Sequence, residues 1–204
     1  MADTRMAIGS ISEYLSSLST LTTNPSPSIT IAKDSPFIQA LTAFYAVKRY
    51  RIKKRMRAIR TMVSAFSQWQ PLGDVTLAFS LWKKTAYMTD GGRLVVPLSL
   101  ITRKHNARII KILLHELAHL RLTQLPEYGA LLVLHQQFLQ RFGETESLLA
   151  ISPVERYATQ LSCLYLESVA AIFCGDEAAA LRQAAEEERE KLLFSYQNAS
   201  AYLH

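Results

Sequence analysis

An α+β fold dominated by helix is what this sequence predicts, and three observations carry it. Apolar residues recur at three- and four-residue spacings over most of the chain. One stretch, 74–98, changes instead to short apolar runs around a glycine pair, the pattern of a small sheet. No run of about 18 apolar residues occurs, so no spanning helix is expected. The 204 residues suit one domain with an extension, and 49% apolar against 20% charged residues suits a packed core with a solvated surface. That composition excludes a disordered or fibrous chain.

The elements follow in order. Residues 1–34 read as a flexible N-terminal segment: a weak amphipathic helix through Ile8, Ile11, Leu15 and Leu18, then a Ser/Thr/Pro linker over 16–28. Ser35-Pro36 makes an N-cap followed by a first-turn proline. Leu41, Tyr45, Ile52, Met56, Ile59, Val63 and Phe66 then form one stripe, which predicts a single long basic amphipathic helix over 35–73 packed on the domain. Residues 75–79 predict a strand, and 85–89 with 93–97 predict a hairpin around Asp90-Gly91-Gly92. Helices are expected from about 103 to 123, from Pro126 to Gly143, from Ser152-Pro153 to about Gly175, and over 177–195. The last should carry Arg182/Glu186 and Glu187/Lys191 ion pairs. Residues 74–175 form the expected main domain and 176–204 a C-terminal helix.

Two cysteines, Cys163 and Cys174, make neither a CxxC pair nor a disulfide framework and read as small buried apolar residues. With no apolar leader at the N-terminus, a reducing, cytoplasmic location is expected. The net charge of +6 is local: eight cations fall within 48–60, so the rest of the chain is net acidic.

His115-Glu116-Leu117-Ala118-His119 is an HExxH sequence inside a strongly helical run. Residues i and i+4 share one helical face, so both imidazoles can reach one ion at roughly 2.0–2.1 Å. Glu116 stands one step around, within reach of a water on that ion. Zinc lowers the pKa of such a water towards roughly 7, and the carboxylate can accept its proton as it attacks a carbonyl. The flanking Ile112, Leu113, Leu114, Leu117, Ala118 and Leu120 bury the helix, and a buried His-Glu-His face needs a partner such as a metal.

With its apolar flanks and no charge between Glu116 and His119, this segment resembles the zincin metallopeptidases. The resemblance covers about residues 74–165 and implies a zincin-like minimal domain with a small sheet before the motif helix. It also implies an edge strand, here 93–97, that binds an extended peptide by strand addition. The longer metzincin pattern is excluded, because Leu122 and Leu125 occupy its glycine and third-histidine positions.

Four residues compete as third metal ligand. Glu155 leads, because 152–162 resembles the ligand helix of the ImmA/IrrE-type metallopeptidases, in which a glutamate is followed three residues on by an alanine, here Ala158. Thr159 and Ala118 depart from that family's usual asparagine and glycine. Ser152 to Glu155 also fits a capping box. His135 is second, by resemblance to the third histidine of SprT-like proteases, and it also reads as a core histidine. Glu127 suits a first helical turn, and Glu144 a solvated loop. Tyr157 and Tyr128 are candidates to stabilise an oxyanion.

The expected function is a zinc metallopeptidase acting on a protein or peptide partner, with His115, His119 and Glu155 on Zn2+ and Glu116 as general base. The alternatives are a non-catalytic metal-stabilised binding module and a SprT-like DNA-associated protease. The basic run 48–60 is a candidate nucleic-acid contact, against the plainer reading of a solvated helix face.

Overall fold

The computed structural model describes residues 29–144 (except 74 and 90), 149 and 152–201. The expected helix and linker over 1–28 lie outside them. Helix α1 spans Pro36–Tyr45 and opens as its sequence predicts: Ser35 Oγ accepts the Ile38 N–H at 3.3 Å, with Pro36 in the first turn. Helix α2 spans Ile52–Trp69.

The stretch 35–73 is thus two helices rather than one. A single rod would set Arg49 beside Lys53 and Arg51 beside Arg55 at repulsive i,i+4 spacing. It would also leave its stripe unpartnered. Folded back, α1 and α2 pack on each other, with the Phe37 and Phe66 rings 5.2 Å apart edge to face. The reversal is held by Arg55, which is fully buried: its guanidinium donates to Asn106 Oδ1 at 2.9 Å and to the Val47 carbonyl at 3.4 Å, and lies over the Phe44 ring. One of the eight cations is therefore a structural pin.

Strands β1 (Thr76–Ser80), β2 (Tyr87–Met88) and β3 (Arg93–Pro97) form a sheet of order β1-β3-β2, with β1 parallel and β2 antiparallel to β3. The expected hairpin forms, with Gly92 at φ 71° and its N–H donating to the Thr89 carbonyl. β3, expected to be the edge, is the central strand. Both of its hydrogen-bonding sides are occupied, and its continuous apolar run Leu94-Val95-Val96 is buried, as suits a strand covered on both faces. The strand available beside the motif helix is β2.

Among the described residues, four longer helices follow a short one, α3 (Leu98–Arg103): α4 (Asn106–Leu122), α5 (Tyr128–Phe142), α6 (Pro153–Ala170) and α7 (Gly175–Ala201). Helices α4, α6 and α7 pack against one another, and β2 lies on α4. On α7, Glu187 reaches across to Lys111 and Lys191 pairs with Glu188 at 2.7 Å, in place of the expected Glu187/Lys191 pair. Glu187 faces α4 where the two helices pack, which brings it to Lys111. Cys163 is buried, but Cys174 is exposed beyond the end of α6. Among the described residues no helix is long and apolar enough to cross a membrane.

Candidate metal centre

Three helices each deliver one part of a compact polar cluster. On α4, Lys111, His115 and His119 stand four residues apart on one face, while Ile110, Leu113, Leu114 and Leu117 are buried around them. On α6, Glu155 continues the inward stripe of Ala158, Thr159, Ser162 and Leu166. On α7, Glu188 continues the inward stripe of Ala178, Leu181, Ala184 and Ala185.

The donor atoms converge. His115 Nε2 lies 3.0 Å from Glu155 Oε1, His119 Nε2 lies 3.1 Å from Glu155 Oε2, and the two Nε2 atoms are 3.2 Å apart. Donors of a tetrahedral zinc site with bonds of about 2.0–2.1 Å stand roughly 3.3 Å from each other, so this triangle has nearly the right size. Among the described residues, His115, His119 and Glu155 are the one group of three or more His, Cys, Asp or Glu placed to hold a metal ion. Two imidazoles and a carboxylate form a donor set that zinc and other first-row divalent ions accept.

At Glu155 the expected capping box forms only in its Ser152 half, and the carboxylate lies against the two imidazoles. Its backbone N–H is accepted by Ser152 Oγ at 3.4 Å, which caps α6, while its carboxylate turns to the imidazoles instead of back to the cap. Burial would raise its pKa, but His115 and His119 outweigh that and hold it well below the usual carboxylate range. Burial likewise would lower the pKa of His115, yet the carboxylates of Glu155 and Glu188 raise it to about 9.

Glu188 is the member that sequence reasoning missed. It is 1% exposed, and its Oε2 faces His115 Nδ1 at 3.3 Å, too bent for a straight hydrogen bond, while neither atom has another partner. Lys191 and Lys111 balance its charge. The available signal was an acid falling on the apolar stripe of α7, seven residues after Leu181.

Glu116 stands beside the triangle and outside it. Burial raises its pKa, partly offset by His115 and His119, and its carboxylate takes a hydrogen bond from the Met88 backbone. That bond follows from the register. Thr89 and Arg93 form a hydrogen-bonded pair, so the next pair, Met88 and Leu94, leaves the Met88 N–H and carbonyl pointing away from β3.

The other candidates stay outside. His135 is half-buried on α5, its pKa lowered by burial and its Nδ1 without a hydrogen-bond partner. Glu127 and Glu144 are exposed. The hydroxyl of Tyr157 is raised in pKa by burial and then by Glu127, and two residues along α6 turn its side chain away from that of Glu155. Tyr128, at the start of α5, is half-buried and packs against the core. No protein-family model, curated protein or solved structure matches this chain.

Proposed function

We propose that this chain is a zinc-dependent metallopeptidase, with His115, His119 and Glu155 as metal ligands and Glu116 as general base. The observation that carries the reading is the convergence of two Nε2 atoms and one carboxylate at 3.0–3.2 Å, with a second, uncoordinated carboxylate beside them. A bound zinc ion supplies Lewis acidity for a carbonyl oxygen and for water.

The remaining steps belong to the chain's own residues. Glu116, its pKa raised by burial, accepts a proton from the attacking water and returns it to the leaving amine nitrogen. The Met88 N–H fixes that carboxylate in place. The Glu188 carboxylate faces His115 Nδ1 at 3.3 Å, a charge contact that would keep Nε2 turned towards a bound ion. The outward Met88 carbonyl offers an extended peptide a pairing site on the edge of β2, next to Glu116.

The test pairs metal content with a Glu116→Gln chain. The substitution should leave zinc stoichiometry at one per chain and reduce peptide hydrolysis by at least about a hundredfold. Unchanged hydrolysis in that variant would contradict the peptidase reading. Stoichiometric zinc with no hydrolysis by the parent chain against a broad peptide library would support a metal-stabilised binding module instead.

A further inference from the structure

Two apolar tips stand exposed on the fold. In the turn between α1 and α2, Tyr50 is 70% exposed and Ile52 39%; after β1, Leu81 is 75% exposed and Trp82 90%. Exposed cations flank each tip, Arg49, Arg51, Lys53 and Lys54 at the first and Lys83 and Lys84 at the second. Over the whole of 35–89 the sequence holds a single acid, Asp74.

The topology directs both tips towards the same side of the sheet. β1 and β3 run parallel, so their C-terminal ends share one side. β3 leads through α3 to His105 and Asn106, whose side chains meet Arg49 at 2.6 Å and Arg55 at 2.9 Å at the start of α2. The loop carrying Leu81 and Trp82 therefore leaves the sheet on the side of the α1–α2 turn. The Arg60 guanidinium over the Phe79 ring, 5.3 Å from its centroid, fastens α2 to β1 along the way.

We propose that this side of the molecule is a peripheral docking surface for anionic lipid bilayers. Trp82, Leu81, Tyr50 and Ile52 enter the headgroup region, and the flanking lysines and arginines meet lipid phosphates and carboxylates. Convex apolar tips suit a deformable surface, whereas a folded protein partner would need matching pockets. Aromatic rings with polar edges favour the membrane interface, and basic residues there each add roughly fivefold to affinity. Single-stranded nucleic acid would use the cations and both rings but has no use for Leu81 and Ile52, which lack a face for stacking.

Co-sedimentation of the full chain with phosphatidylcholine vesicles, alone or with about one third phosphatidylserine, tests this. The chain should sediment with the anionic vesicles only, less so at high salt, with the Trp82 emission shifting to the blue. Leu81→Ser/Trp82→Ser and Lys83→Glu/Lys84→Glu should each lose about tenfold or more in binding, while Val133→Ser, an exposed apolar residue on α5, should change nothing. Failure to sediment with anionic vesicles, or undiminished binding by the Leu81→Ser/Trp82→Ser chain, overturns the proposal. Retention on a single-stranded oligonucleotide without vesicle binding overturns it too, and assigns the surface to nucleic acid.

Discussion

At the scale of single residues, the proposed metal would compete with protons for His115. Its pKa is raised to about 9 in the metal-free chain, so below that pH an incoming ion must displace a proton. Zinc affinity should therefore climb by about tenfold per pH unit up to roughly 9 and then level off. A competition titration across pH 6 to 10 reads the slope, and a flat profile would remove His115 from the ligand set. Glu188 acts one bond further out. Glu188→Gln should weaken zinc binding by about 10–100-fold, while Glu187→Gln, a half-exposed neighbour also paired with Lys111, should leave it nearly unchanged. Equal losses in the two variants would mean that the effect runs through Lys111 and not through His115.

At the scale of elements, the sequence conveyed periodicity well and partnership badly. The motif helix, its buried flanks and the cap of α6 were readable because i,i+4 spacing and Ser-Pro starts are local signals. The reversal between α1 and α2 was not, because neither glycine nor proline marks it. It depends on Arg55 finding Asn106, 51 positions away. Glu188 was hidden for the same reason: its partner His115 is on another helix. β3 was misplaced at the edge because strand order depends on pairing across the chain. Arg55→Ala should cost about 2–4 kcal/mol, since it leaves a cavity and an unpaired Asn106, while the exposed Arg57→Ala should stay within about 0.5 kcal/mol. Denaturant unfolding distinguishes the two, and equal small effects would refute a pinning role for Arg55.

At the scale of the whole molecule, the ligand set spans α4 and α6, so a bound ion would clip two helices that the chain presents at separate points in its length, with α7 packed on both. Zinc at a thousand times its dissociation constant should add about 4 kcal/mol, and chelation should lower the melting temperature by roughly 8–16 °C. His119→Ala should show no such dependence on chelator. The central claim, that two imidazoles and one carboxylate hold a metal, is reached most directly by a zinc-edge X-ray absorption spectrum of the loaded chain. The account predicts two imidazole nitrogens at about 2.0–2.1 Å with oxygen ligands at about 2.0–2.2 Å, one imidazole being lost in His119→Ala. A spectrum matching the hydrated ion, or one that His119→Ala and Glu155→Ala leave unaltered, would contradict it.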